Sequence, residues 1–485
     1  MRTCRDLGLR TVAVYSDIDR TAPHVRFADA AFPIGGAAPA ESYLRGDRII
    51  AVARRAGAGA IHPGYGFLSE NAGFAQAVAD AGLTFVGPDA AVQRALGEKT
   101  SARRLAQQAG VPVAAGTAEP VSDLAAARTA AEEIGYPLLL KPVAGGGGKG
   151  MRVVRSAGEL DAAWRGATGE ATTGFGDARI LIERLVASAR HIEVQLVADA
   201  HGAVVWLGER DCSVQRRHQK LIEETPGPSV SADLRARLGE SAVRIARAAG
   251  YTSTGTAEFL VSPGGSFVFL ELNTRLQVEH PVTELVTGLD LVALQLRIAA
   301  GERLPFAQED VRSEGAAIEL RITAEDPYAA FLPAGGRITF VREPQGPGVR
   351  VDSALAPGSG GTAVPNEYDP LLAKIIVHGP TRDIAIARAR RAVRETIIAG
   401  VPTALPFHAH VLAEPDFQAG RYDTDYVATH WAGVHPPAIE GTAAQAAALV
   451  AASLQRRPAP RAADALVPGA GGSAWAEAAR ADALR

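Results

Sequence analysis

Lysine is nearly missing from this chain of 485 residues, which has five against 45 arginines. Arginine is a rigid, permanently charged fork, whereas lysine is a compact point charge on a flexible stem. Where arginine has taken almost every basic position, each remaining lysine calls for a chemical reason. Cysteine is scarce too. Cys4 and Cys212 are too few for a disulfide scaffold or a zinc cluster, and they suit a reducing, cytoplasmic compartment. No apolar stretch reaches the roughly 18 residues of a membrane span, and the N-terminus has no signal-peptide pattern. A net charge of −3 argues against a general binder of nucleic acid or anionic membrane.

A hydrophobic content of 47% supports sizeable cores, and the length suits two or three domains or subdomains. Three of the lysines sit inside dense motifs: Lys141, Lys149 and Lys220. Lys99 opens a Lys-Thr-Ser-Ala run before a helical segment, and Lys374 follows Tyr368-Asp369-Pro370.

The richest stretch is Glu271–Glu284, ELNTRLQVEHPVTE. Ahead of it, one apolar run ends at Val261 and another begins at Phe267, with Ser-Pro-Gly-Gly-Ser between them. This reads as strand, turn, strand. A turn centred between Gly264 and Gly265 places Glu258 opposite Glu271, on one face with Asn273 and Arg275. Two carboxylates and an amide oxygen, with no Cys or His among them, suit a hard cation such as Mg²⁺, or Mn²⁺ in its place, working with substrate phosphates. A solvated edge hairpin is the plainer alternative. The apolar residues alternating with the polar ones argue against it.

The run Gly145, Gly146, Gly147, Gly148, Lys149, Gly150 is not a P-loop, because no Ser or Thr follows the lysine and no helix follows the glycines. Tyr136–Lys141 before it and Met151–Val154 after it read as strands. A strand–glycine loop–strand can fold its backbone N–H groups over phosphates. His191-Ile192-Glu193-Val194-Gln195 alternates polar and apolar as a strand does. Arg210–Lys220 is dense in charge but too short for an RNA-binding face.

Several collinear motifs resemble the biotin carboxylase component of biotin-dependent carboxylases, within the ATP-grasp superfamily: HPGYGFLSEN (62–71), KPVAGGGGKGM (141–151), ERLVASARHIEVQ (183–195), RDCSVQRRHQKLIEE (210–224), the 271–284 run, and RITAEDP (321–327). They span roughly residues 1–430. The resemblance implies an α/β (α+β) fold. It has a parallel βαβ N-terminal domain over 1–95 and an ATP-grasp domain over 96–305, with a mobile glycine-lid subdomain at about 115–185. A mixed-sheet C-terminal domain over 306–432 and an Ala/Pro/Gly-rich linker or tail over 433–485 complete it. The βαβ rhythm of the first 95 residues itself implies a parallel sheet, with strands at Thr11–Tyr15, Ala60–His62 and Thr84–Val86 and helices around Tyr43–Ala56 and Asn71–Ala81.

The site residues follow from the same resemblance. ATP would be held by Lys99, Lys141, the glycine lid with Lys149, Glu183, Val186, His191, Gln215, His218, Glu258, Leu260 and Glu271. The metal would sit on Glu258, Glu271 and Asn273. Bicarbonate would lie against Lys220, Arg275, Gln277 and Val278, with Glu279 as its base. Biotin would meet Tyr65, Arg321 and Asp369. The catalytic set is Glu279, Arg321, Arg275 and Lys220. A homodimer, a biotin carboxyl carrier protein or domain and a carboxyltransferase subunit are the implied partners, with fatty acid metabolism as the setting.

Two departures from the family pattern stand out. The resemblance implies a first strand and turn some 15–20 residues before the position of Met1. Either the start codon is misassigned or the form is truncated, and a real truncation should cost the parallel sheet a strand. No biotin-attachment site is present, since neither Met1 nor Met151 adjoins a lysine. Biotin is therefore expected on another polypeptide, or on a C-terminal part absent from this chain. Another ATP-grasp ligase, or a non-catalytic truncated subunit, are the competing readings.

Overall fold

The computed structural model describes residues 1–143, 150–355 and 362–435. Residues 1–433 form one compact unit, and 434–485 form a second, of which only Val434 and His435 are described. The glycine run 145–148 and Lys149 lie outside the described residues, as does nearly all of the Ala/Pro/Gly-rich tail.

The N-terminal region alternates strands and helices as its pattern implies, but its strands do not join into one sheet. Strands β1 (Val12–Ser16) and β2 (Ala30–Gly35) form one parallel pair. Strands β3 (Ala60–Ile61) and β4 (Thr84–Phe85) form another. The expectation of a single parallel sheet is corrected to two separate pairs, and β2 is a strand the sequence reading did not pick out. The helix Gly46–Ala56 starts later than expected and closes on Gly57 at φ +67°, a left-handed C-cap that glycine takes without a Cβ penalty. The helix Ala72–Asp80 begins at Asn71, whose side chain accepts from Phe74 N at 2.8 Å. That cap fixes the chain direction right beside Glu70.

Strands β5 (Leu138–Pro142), β6 (Arg152–Val154) and β7 (Ile180–Arg184) form a small antiparallel sheet in the order β6-β5-β7. The strand–loop–strand reading of the glycine run therefore holds at its flanks. Leu138, Leu140, Val154, Ile180 and Ile182 point under the helices Leu124–Ile134 and Ala157–Phe175, against Ala127, Ala131, Ala167, Ala171 and Trp164. Alanines on the inner helix faces let the backbones approach the sheet, and each buried Leu or Ile contributes about 1.5–3 kcal/mol.

The main sheet has eight antiparallel strands. In chain order they are β8 (Arg190–Ala198), β9 (Val204–Arg216), β10 (Gln219–Thr225), β11 (Ser253–Val261), β12 (Phe267–Asn273), β13 (Ala316–Thr323), Val349–Ser353 and Leu371–Gly379. In space they run β12-β11-β8-β9-β10-β13, then 371–379, then 349–353. Ile192, Val194 and Leu196 of β8 face the helix Ala232–Ala248, which presents Leu234, Leu238, Ala242 and Ile245 at helical spacing. His191, Glu193 and Gln195 alternate with them and take the opposite face. No helix among the described residues is long and apolar enough to cross a membrane.

Candidate active site

The β11–β12 hairpin carries Glu258 directly opposite Glu271, as its turn and alternation predict, but by a different route. The turn is tighter than expected, and pairs Val261 with Phe267 and Phe259 with Phe269. Continued without interruption, that register would set Glu258 against Leu270. A bulge next to Glu258 inserts one residue and restores the opposition to Glu271. Asn273 ends β12, its Nδ2 donating to Glu258 Oε1 at 2.9 Å.

Beyond the strand the chain turns, and Arg275 folds back on its neighbours. Its Nη2 donates to Asn273 Oδ1 at 3.0 Å and its Nη1 to Gln277 Oε1 at 2.9 Å. Its Nε meets Glu70 Oε2 at 2.9 Å, and the same carboxylate accepts from Thr274 N at 3.1 Å. Glu70 thus ties the N-terminal region to the arginine.

Lys220 lies at the centre. Its ammonium donates to Glu193 at 2.5 Å, to Glu258 at 2.9 Å and to Glu279 at 2.6 Å. Burial alone would discharge this amine, but the three carboxylates override it and hold its pKa well above the ordinary lysine value. Burial likewise opposes ionisation of Glu279, yet Lys220, Arg321 and Arg210 hold its pKa well below the carboxylate range. Arg321 on β13 completes the clamp, with Nη2 on Glu279 Oε2 at 2.7 Å and Nε on Glu223 Oε1 at 2.5 Å. Beneath this layer the wholly buried Arg210 donates to Glu193 at 2.5 Å, Gln195 at 2.8 Å, Thr283 at 2.9 Å and Thr256 at 3.1 Å.

The other predicted residues fall around this core. His191 Nε2 lies 3.0 Å from Glu258 Oε2. Burial resists its charging, but the Glu258 carboxylate outweighs that and raises its pKa. Gln215 Nε2 stands 3.2 Å from His191 Nδ1, and Leu260 pairs with His191 across β11 and β8. His218 and Arg217 form the tip of the β9–β10 hairpin, at φ +64° and +49°, the geometry of a two-residue type I′ turn. Lys374 donates to Val278 O at 2.6 Å and pins the Gln277–Val278 segment.

On the small sheet, Lys141 of β5 pairs with Glu183 of β7, whose other oxygen takes Arg103 at 3.1 Å. Lys99 donates to Pro142 O at 2.9 Å, and Val186 lies in the link between β7 and β8. Tyr65 is exposed, its ring 6.0 Å from Lys374 Nζ, and it feels the charge of Arg321. Asp369 is exposed as well, and accepts from Leu371 N at 2.9 Å.

Sequence reasoning did not assign roles to Glu70, Glu193, Arg210 or Glu223. Arg210 opens the charge-dense run 210–220 and is flanked by Glu209 and Asp211, so nothing set it apart from a solvated cluster, and the carboxylates left no signal that distinguishes them from a wet strand face. Among the described residues, His191, Glu193 and Glu258 bring ligand atoms within 4.8 Å of one another, as do Glu193, Cys212 and Glu279. The Lys220 ammonium already bonds to a carboxylate of each group. By donor chemistry Glu258, Glu271 and Asn273 would offer a hard cation an all-oxygen set, with Glu271 exposed and the Asn273 amide oxygen accepting from Arg275 Nη2 at 3.0 Å.

The chain matches three family descriptions in order: "Biotin carboxylase, N-terminal domain" over residues 1–92, "Carbamoyl-phosphate synthase L chain, ATP binding domain" over 98–307 and "Biotin carboxylase C-terminal domain" over 319–429. It is 48% identical to the biotin carboxylase of Nostoc sp. over 427 residues, 88% of this chain and 95% of that protein. It is 46% identical over 444 residues to the biotin-dependent acyl-coenzyme A carboxylase alpha3 subunit of Mycobacterium leprae, 91% of this chain and 74% of that one. In three dimensions it superposes with a TM-score of 0.86 and 42% identity on the biotin carboxylase domain dimer of Hydrogenobacter thermophilus 2-oxoglutarate carboxylase, covering 90% of this chain and 96% of that one. That structure is a complex with MgADP, ADP and bicarbonate. Three collinear matches and near-half identity across almost the whole Nostoc protein carry one conclusion: this chain belongs to the biotin carboxylase family of ATP-dependent ligases.

Proposed function

We propose that the chain carboxylates biotin presented on a separate biotin carboxyl carrier protein, using MgATP and bicarbonate by way of carboxyphosphate. We place it as the alpha-type subunit of an acetyl- or propionyl-CoA carboxylase. It works as a homodimer beside a carboxyltransferase subunit that chooses the acyl acceptor. The observation that carries the chemistry is the clamp on Glu279, held between Lys220 at 2.6 Å and Arg321 at 2.7 Å. The Mycobacterium leprae relative's own name supports the alpha-subunit assignment.

The reaction runs in two stages. Lys99, Lys141, Glu183, Val186, Leu260, His191, Gln215, His218 and the glycine lid hold the nucleotide. Glu258, Glu271 and Asn273 would hold Mg²⁺, which when bound would neutralise phosphate charge. Bicarbonate enters against Lys220, Arg275 and the Gln277–Val278 segment, where an arginine fork fits its oxygens. As the anion competes for Lys220 and Arg275, it weakens the field that keeps Glu279 acidic, so Glu279 becomes the better base as its substrate seats. Bicarbonate oxygen attacks the γ-phosphorus and ADP leaves. Carboxyphosphate then yields CO₂ and phosphate. Phosphate takes the N1 proton of biotin, and the enolate attacks CO₂. Arg321 stabilises the enolate oxygen with charge already in place, and Tyr65 and Asp369 lie near the biotin.

The test is bicarbonate-dependent ATP hydrolysis with and without free biotin. Biotin should stimulate phosphate release, and Glu279→Gln should lower it by about 10³-fold with ATP binding kept. Loss of ATP binding in Glu279→Gln, or full activity, would sink the assignment.

A further inference from the structure

Among the buried acids that the mechanism does not use, Glu319 is the one whose two oxygens both lack a donor among the described residues. Glu319 on β13 is fully buried and pairs directly opposite Glu223 on β10. Residues in direct register on adjacent strands project from one face with their Cβ atoms about 4.5–5.5 Å apart. Both Glu319 carboxylate oxygens, and Glu223 Oε2, are buried without a donor among the described residues. The cations nearby are engaged elsewhere. Arg321 donates to Glu223 Oε1 and to Glu279, and Lys374 donates to Val278 O with Asp352 at 3.6 Å.

The charged groups acting on Glu319 are Lys374, Glu223, Arg321 and Glu279. The helix His280–Thr287 covers this face with Val282 and Val286, packed on Ala317 and Ile376. His280 at its start is kept neutral, its pKa pushed down to about 3 by burial and by Lys374. From the neighbouring strand 349–353, Arg350 is committed to Glu284 at 2.6 Å and to Asp352 at 2.9 Å. Lys220 and Arg210 also act on Glu279, and Lys220 on Glu223. But Lys220 is bonded to Glu193, Glu258 and Glu279 and Arg210 to Glu193, so neither donates to Glu319 or to Glu223 Oε2. Two facing carboxylates with no donor between them cannot both stay ionised in a dry site.

We propose that Glu223 and Glu319 hold a single proton between them, as an acid–carboxylate pair, and that Glu319 thereby acts as a positioning residue for Arg321. The protonated member donates to the other. Glu223 is then anchored while its Oε1 grips the Arg321 Nε. One negative charge instead of two lies behind Arg321, so the guanidinium keeps its positive field on the cleft side. Burial and the facing Glu223 raise the Glu319 pKa well above the ordinary value, and burial lifts Glu223 to about 7. The role assigned to Arg321 rests on the proposed function, but the shared proton does not.

Thermal unfolding of wild type and Glu319→Gln across pH tests the pair. An acid whose folded pKa lies above its unfolded value stabilises fully below the unfolded pKa, and that stability is lost as pH rises through the folded pKa. Glutamine keeps the donor and removes this loss. The variant should melt with wild type near pH 5 and about 2 °C above it near pH 9. A variant that melts below wild type near pH 9, or tracks it at both values, overturns the shared proton. Activity then separates positioning from mere packing. Glu319→Gln should keep biotin-stimulated turnover within about three-fold, whereas Glu319→Leu should lose about ten-fold of the stimulation, with biotin-independent ATP hydrolysis and the KM for ATP unchanged. Equal loss of both activities in Glu319→Leu overturns the positioning role. Should Arg321→Ala keep full stimulation, the biotin role of Arg321 fails, and the melting profile still decides the pair.

Discussion

The sheet β5–β7 and the sheet β8–β13 are made of opposite materials. Under the small sheet lie Leu138, Leu140, Ile180, Ile182, Trp164 and a row of alanines. Under the cleft of the large sheet lie Arg210, Lys220, Arg321 and five buried glutamates, Glu193, Glu223, Glu258, Glu279 and Glu319. Apolar burial is non-directional and tolerates small displacements. A buried charge network is held by directional bonds, so displacing one member leaves another buried and unsatisfied. Under the proposed function, that difference would let the small sheet shift over a nucleotide while the charged floor stays fixed.

That contrast is broken most forcefully at Arg210. Arg210→Ala leaves Glu193 with Lys220 alone and strands Gln195, Thr256 and Thr283. Breaking a buried pair of this kind costs about 3–5 kcal/mol, so chemical denaturation should report a stability loss near that size with biotin-dependent turnover abolished. Trp164→Ala in the small sheet should cost a similar or somewhat smaller amount, about 3 kcal/mol by its cavity. Its ion-pair floor would stay intact, and hydrogen exchange should show β8–β13 still protected while β5–β7 loosen. Equal loosening of both sheets in either variant would erase the distinction.

Acid should sharpen the comparison. Burial pushes the pKa of His408, whose Nε2 lies 2.7 Å from the Arg321 carbonyl, down to about 4 against an ordinary 6.5. Burial takes His280 to about 3. Both are neutral in the folded state and charge readily in the unfolded one. Their contribution is present above pH 6.5 and is lost as pH falls through the folded values. The segment 111–185 contains no histidine. Glu223 and Glu319, whose pKa values are raised, act in the opposite sense, so the histidine part is read by difference. Relative to His408→Gln, wild type should lose exchange protection near β13 as pH falls below 6.5, while β5–β7 shows no such difference. The smallest effect is expected at Asp123, which caps the helix Leu124–Ile134 by accepting from Ala126 N at 2.9 Å. Asp123→Ala should cost about 1 kcal/mol and leave turnover alone.

The two regions also differed in how far the sequence disclosed them. The hairpin opposition of Glu258 and Glu271 was legible from a Gly/Pro turn and a period of two, although the bulge that secures it was not. Lys220 and Arg321 stood inside long motifs. Glu193, Glu223 and Glu319 did not stand out, since an acid alternating with Ile or Leu looks the same whether that face meets water or other strands. Only the pairing order, with β8 between β11 and β9 and β13 beside β10, turns them inward. In the N-terminal region the βαβ rhythm gave parallel direction but not neighbours, hence two pairs where one sheet was expected.

The five lysines carry a consequence for labelling chemistry. Lys141 and Lys374 are under a tenth exposed, and the Lys220 side chain is a tenth exposed. Lys99 is half-buried against Pro142 O. The outer positive charge is guanidinium, which neither acylates under mild conditions nor loses its proton below about pH 12. Lys149 lies outside the described residues. For the other four, a reagent selective for side-chain amines passes over exterior arginine and reacts, slowly, at buried or half-buried amines, among them those that would hold phosphate and bicarbonate.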